Sequence, residues 1–245
     1  MSVGGMMVRD VDAFDADAAA GGYLYAQGDR LSARLSNERM TAAILAIADL
    51  RGKRVIDLGC GDGTYTLPLA LRGGARQLLG IDPTAAAIAL AERRAATEGV
   101  DCCRFTVGSI YDAAMADGSY DVAVLRGVLH HLEHPAAAIK VALALAREVV
   151  IVEPNGLNPV LKLIERLSSY HRAHGERSFL PMTLHRWVRA AGGQVTAADF
   201  INLVPIFSPD WLARGCKRAE PIVEAFPAIR VLACGQYVLK ARKSQ

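Results

Sequence analysis

Arg54-Val55-Ile56-Asp57-Leu58-Gly59-Cys60-Gly61-Asp62-Gly63-Thr64-Tyr65-Thr66 carries a strand, a glycine-rich turn and the start of a helix in thirteen residues. Val55, Ile56 and Leu58 form a short apolar run that reads as a buried strand. Glycines at three alternate positions then break the run, and a helix-compatible segment follows over 64–73. Glycine lacks a Cβ and tolerates positive φ, so such a turn brings backbone close to a ligand. The helix that follows offers free N–H groups at its start. Asp57 stands at the carboxyl end of the strand, where open α/β sheets bind ligands. The stretch predicts a nucleotide-type site.

Beyond this stretch, strand and helix alternate. Strands are expected at 53–58, 77–82, 103–108, 120–126, 148–153, 194–201 and 236–241. Helices are expected at 64–73, 84–98, 135–147, 160–170 and 183–191, the last capped by Thr183. Strands that are apolar throughout and spaced by helices mean a parallel sheet covered on both faces. Residues 21–50 read as helical, while 202–227 reads as loop and short helix, with Phe207, Trp211 and Phe226 apolar in it. No repeat or linker divides the chain. One domain is expected, made of a helical lid (1–50), a cofactor-binding core (51–156), an inserted cap (157–192), and C-terminal strands with a substrate loop (193–245).

Composition narrows the function classes. The 245 residues are 52% hydrophobic and 22% charged, enough to bury a large core. The first 20 residues carry four aspartates and no apolar stretch of signal-peptide length, so a cytoplasmic protein is expected. No stretch approaches the roughly 20 apolar residues of a membrane span. Cys60, Cys102, Cys103, Cys216 and Cys234 form no C-x-x-C pair, which suits free thiols in a reducing compartment. The net charge of +3 is uneven: residues 157–245 hold 13 Lys/Arg against 6 Asp/Glu. That C-terminal part is expected to meet something anionic. The basic residues do not cluster and no aromatics interleave them, so nucleic acid is not the expected partner.

The glycine spacing separates two kinds of nucleotide. A dinucleotide site wants G-x-G-x-x-G, but Thr64 stands where the third glycine belongs and the pattern is D-x-G-x-G-x-G. A nicotinamide-dependent oxidoreductase is therefore the weaker alternative. The second strand ends on another acid, Asp82, placed to bind two ribose hydroxyls.

On Val55–Thr64, Gly80-Ile81-Asp82, Tyr120-Asp121-Val122-Ala123-Val124 and Val128-Leu129-His130-His131-Leu132, the chain resembles a class I S-adenosylmethionine-dependent methyltransferase. The likeness is to the small-molecule group that includes ubiquinone- and polyketide-type enzymes. It implies a Rossmann-like, seven-stranded, mostly parallel sheet with the last strand antiparallel and helices on both faces. It also implies S-adenosylmethionine across the strand ends. By this resemblance Asp57, Gly59, Cys60, Gly61 and Thr64 contact the methionine part and Asp82, followed by Pro83, holds the ribose. Ser109, where the family usually has an acid, and Ile110 meet the adenine. Arg126 and Gly127 face the cofactor by backbone. Tyr23 to Arg30 resembles the family's lid, with Tyr25 and Arg30 near the cofactor's carboxylate.

Methyl transfer needs a base only when the acceptor carries a proton of high pKa. His131 first and His130 second are the candidates, at the ligand edge after strand four; histidine titrates near neutrality. His130 and His134 lie four apart but lack a third ligand, so no metal is expected. Glu153, Tyr170, His171, His174, Phe207 and Trp211, with Phe200, are the candidate acceptor contacts. The expected acceptor is a small molecule, apolar or aromatic with an anionic group, methylated on oxygen before nitrogen or carbon. The expected protein is a monomer or homodimer. A donor-binding protein that catalyses a cyclisation is the rival, along with an RNA or protein methyltransferase.

Overall fold

The apolar strands pair into one seven-stranded sheet in the computed structural model, which describes residues 30–111, 120–167 and 177–244. The elements run α1 (Leu31–Ile47), β1 (Arg54–Leu58), α2 (Thr66–Gly73), β2 (Gln77–Asp82), α3 (Ala85–Glu98), β3 (Cys103–Val107) and β4 (Tyr120–Arg126). A single 3₁₀ turn (Leu129–His131) leads into α4 (Pro135–Leu145) and β5 (Ala146–Pro154). Then come α5 (Pro159–Leu167), α6 (Pro181–Ala190), β6 (Gly193–Ile201), α7 (Asp210–Ala225), α8 (Pro227–Ala233) and β7 (Gln236–Lys243). The strand order is β3-β2-β1-β4-β5-β7-β6, with β7 antiparallel to both its neighbours and the other pairs parallel.

Alternate side chains of each strand enter opposite cores, which is why the strands are apolar throughout. Val55, Val122, Val124, Val150 and Val152 pack beneath α1, α2 and α3. Ile56, Ala123, Leu125, Val149 and Ile151 pack beneath α4 and α6. Between β1 and β4 the direction of strand addition reverses, and the crevice at such a switch point is where open sheets place ligands. The carboxyl ends of β1, β2 and β4 surround it.

Several sequence expectations shift. Residues 210–225, read as loop or short helix, form the 16-residue α7 despite Pro221 inside it. Its Glu220 and Glu224 pair with Arg39 of α1, so tertiary pairing overrides the weak local propensity. Thr183 does not cap α6; Leu180 is the N-cap and Pro181 fills the first turn, where a missing N–H costs nothing. Chain 146–147, expected as helix, already belongs to β5. Of the N-terminal segment 21–50, residues 21–29 lie outside the described residues. No described helix is long and apolar enough to cross a membrane.

Candidate active site

The turn after β1 is built so tightly that only glycine serves. Gly59, Gly61 and Gly63 all have positive φ, at 83°, 54° and 76°. A Cβ on Gly59 would stand 2.4 Å from Val128 Cγ2, and one on Gly63 would stand 2.9 Å from Ala91 Cβ of α3. The loops after β1 and β4 thus touch, and together they floor the crevice. Gly59 and Cys60 donate their N–H groups to Ile81 O at 2.8 and 3.0 Å. Thr64 N–H donates to Asp62 Oδ1, and Asp62 is itself held by Arg94 of α3 at 3.1 Å.

Two acids stand at the strand ends beside the glycine turn. Asp57 is buried and its Oδ2 accepts from Thr66 Oγ1 at 2.6 Å. Loss of water raises its pKa to about 6, opposed in part by the Thr66 bond and the nearby Arg126. Asp82 Oδ2 accepts from Gly61 N–H at 2.9 Å and Oδ1 from Thr84 N–H at 3.0 Å. One side chain therefore ties the end of β2 to the glycine turn and, beside Pro83, to the start of α3. Burial raises the Asp82 pKa as well, against these bonds. Cys60 is buried, and burial first and the neighbouring carboxylates next push its thiol well above the ordinary range.

At the end of β3, Ser109 Oγ accepts from Tyr111 N–H at 3.2 Å, and the Ile110 side chain is buried in the core beneath α4. Only the Ile110 backbone is left to meet a ligand. Gly127, at φ 62°, turns the chain after β4. Arg126 departs from the backbone-only role expected of it. Its guanidinium reaches α1, donating to Thr41 Oγ1 at 2.9 Å and to Asn37 O and Oδ1 at 3.1 Å each. It also lies 4.2 Å over the Tyr65 ring, whose hydroxyl accepts from Asn37 Nδ2.

The histidine pair is organised from below by Glu153, which the sequence assigns to the acceptor. That assignment is corrected. Glu153 is 0% exposed, with Oε1 accepting from Val128 and Leu129 N–H at 3.0 and 2.8 Å. Its Oε2 meets His130 Nδ1 at 2.7 Å. The carboxylate shapes the turn after β4 and orients the His130 ring. That ring lies beside Gly127, 3.8 Å from where a Cβ there would stand. His131 is half-buried and its ring centroid lies 4.0 Å from that of His130.

The acceptor contacts fare less evenly. Trp211, expected to wall a pocket, is 75% exposed on the first turn of α7, so packing does not hold it inward. Phe207 is 40% exposed, with Arg30 Cζ 5.9 Å above its ring. Phe200 instead packs on Tyr237, whose hydroxyl meets His185 Nε2 at 2.7 Å. Tyr25, Tyr170, His171 and His174 lie outside the described residues. Among the described residues no group of three His, Cys, Asp or Glu side chains is arranged to hold a metal. Sequence reasoning missed Asn37 and Thr41, whose only local signal is a polar i, i+4 pair on an otherwise core-facing helix.

A crevice at the switch point, a glycine turn at positive φ and two strand-end acids define a site for an adenosyl-type ligand. The model of a family described as methyltransferase domain matches residues 49–192. The ubiquinone biosynthesis O-methyltransferase of Burkholderia thailandensis is 30% identical over 177 residues, covering 66% of this chain and 73% of that protein. An uncharacterized Synechococcus protein is 40% identical over 83 residues, a stretch that spans only 20% of that protein's length. Among solved structures, the (4+2)-cyclase SpnF overlays with a TM-score of 0.66 at 22% identity, covering 95% of this chain and 93% of that one. Magnesium protoporphyrin IX methyltransferase of Synechocystis, with bound S-adenosylmethionine, gives 0.62 at 17% identity, with 99% and 100% covered. The chain belongs to the methyltransferase domain family. It is an S-adenosylmethionine-dependent methyltransferase, with S-adenosylmethionine as its cofactor.

Proposed function

We propose that the enzyme methylates a hydroxyl oxygen of a small-molecule acceptor, with His130 as general base and Glu153 as the group that positions it. The observation that carries this reading is the 2.7 Å contact between Glu153 Oε2 and His130 Nδ1. A carboxylate there accepts the Nδ1–H, which fixes the tautomer and leaves the lone pair on Nε2. The sequence favours His131; the carboxylate partner at Nδ1 supports His130 instead.

When bound, the cofactor supplies a methyl group on a sulfonium, which any aligned nucleophile can take. The chain's part is to hold the acceptor in line, exclude water and receive the hydroxyl proton at His130 Nε2. Asp57, Asp82 and the glycine turn hold the donor, while residues 157–192 serve as a cap over the acceptor. The basic surplus of residues 157–245 suits an anionic group on an acceptor that is otherwise apolar or aromatic. The ubiquinone enzyme's name fits a hydroxyl acceptor of this kind.

The test is release of S-adenosylhomocysteine with a library of hydroxylated aromatic acids, in wild type and three variants. His130→Ala should lower kcat by about 10²–10⁴. Glu153→Gln keeps the shape but presents an amide N–H to Nδ1, so Nε2 takes the proton and kcat falls to a similar degree. His131→Ala should leave most turnover. Full activity in His130→Ala would remove it as the base. Acceptor conversion without S-adenosylhomocysteine release would favour a ring-forming reaction, the activity named for SpnF.

A further inference from the structure

We propose that the Arg126 side chain binds the carboxylate of the donor's methionine part, so that one guanidinium both receives the cofactor and anchors α1 beside it. The inference rests on the crevice holding S-adenosylmethionine and goes beyond the backbone contacts expected at this position.

The argument is one of incomplete compensation. Arg126 donates three hydrogen bonds, to Thr41 Oγ1, Asn37 O and Asn37 Oδ1, and all three acceptors are neutral. A guanidinium has five N–H groups, so among the described residues Nε–H and one Nη1–H make no hydrogen bond. Among the described residues no carboxylate lies within ion-pair distance of it. Removal of water lowers its pKa to about 10, with Tyr65, Asp57 and Glu38 opposing that fall only through space. A desolvated cation that retains donors and lacks a contacting anion favours an anionic ligand.

Its position selects which anion. Arg126 ends β4, the strand beside β1, and its guanidinium stacks on Tyr65, directly after the glycine turn. Arg126 acts on Asp57 through space, so a cation and an anion border the same end of the crevice. A zwitterionic amino-acid group, carboxylate toward Arg126 and ammonium toward Asp57, complements that pair. Arg30, the described alternative, is exposed and set against Phe207.

The experiment is a thermodynamic cycle on binding alone. S-adenosylmethionine and decarboxylated S-adenosylmethionine differ only in the carboxylate, and their Kd values are measured by calorimetry for wild type, Arg126→Met, Arg126→Lys and Thr41→Val. Wild type should prefer the carboxylated ligand by about tenfold to a hundredfold. Arg126→Met should erase the preference while still binding the decarboxylated ligand, and Arg126→Lys should restore part of it. Thr41→Val loosens the tie to α1 but keeps the cation, so its preference should persist. Equal weakening of both ligands in Arg126→Met, or loss of preference in Thr41→Val, would make Arg126 a structural pin and overturn the proposal. A wild type without preference would overturn it too. If wild type binds neither ligand, the donor assignment itself falls and the proposal with it.

Discussion

At the scale of single residues, the crevice is dominated by side chains that burial has made electrostatically expensive. Asp57 is the clearest, with its pKa raised from 3.8 to about 6 by desolvation. For an acid whose folded pKa lies above the unfolded one, the folded state binds more protons across that window. Stability therefore falls as pH rises from about 4 to about 6 and is level above it. The ionised carboxylate costs on the order of 2–3 kcal/mol. Asp57→Asn keeps an oxygen that accepts from Thr66 but removes the charge. It should unfold at higher urea than wild type near neutral pH, with the gap closing toward about pH 4. A gap that does not change with pH would assign the cost elsewhere. That Asp57 and Asp82 stand at strand ends beside the glycine turn was legible in sequence, because strand-end acids are set by local order. The reach of Arg126 was not, since its partner Asn37 is 89 positions away. Glu153 shows the same limit: its strand end was legible, but its bonds to the turn after β4 exist only once β4 and β5 pair.

At the scale of elements, α1 is a bridge. One side holds Arg126 through Asn37 and Thr41, next to the cofactor turn. Its other contacts reach the C-terminal segment, where Ser36 Oγ accepts from Asn202 Nδ2 at 2.6 Å and Arg39 pairs with Glu224. Asn202 holds the uncommon φ of 69° there. The glycine turn is the opposite kind of element, fixed by lack of room. Gly59→Ala places a Cβ against Val128 and forces an alanine into positive φ. It should destabilise the protein by about 2–4 kcal/mol in urea unfolding and weaken S-adenosylhomocysteine binding. Adding Val128→Ala should recover the steric part while leaving about 1–2 kcal/mol of backbone cost. A single variant as stable as wild type would show that the loops do not touch in solution. The misreading of α7 has its reason at this scale too. Gly215 and Pro221 weaken its local signal, and what holds it helical is its packing and pairing with α1.

At the scale of the molecule, the two cores share one sheet, and that made the fold readable. Strands buried on both faces leave continuous Val/Ile/Leu runs that no amphipathic helix imitates. The order in which the strands sit was not legible in the sequence, because pairing joins segments far apart in the chain; the resemblance implied only that the last strand is antiparallel. That order puts β7 between β5 and β6, paired to both along its length. Loss of residues 236–243 to a protease would therefore trim no fringe; it would open the middle of the sheet. The exposed flank of β5 would present Val149-Val150-Ile151-Val152, four β-branched residues with every backbone donor and acceptor on that side unpaired. Such a flank templates intermolecular strand addition. A chain ending at Gly235 should form thioflavin-positive aggregates, while full-length protein under the same conditions stays clear. A dispersed product with native circular dichroism would show that β5 tolerates the open flank. The strand that completes the fold is also its guard against self-association.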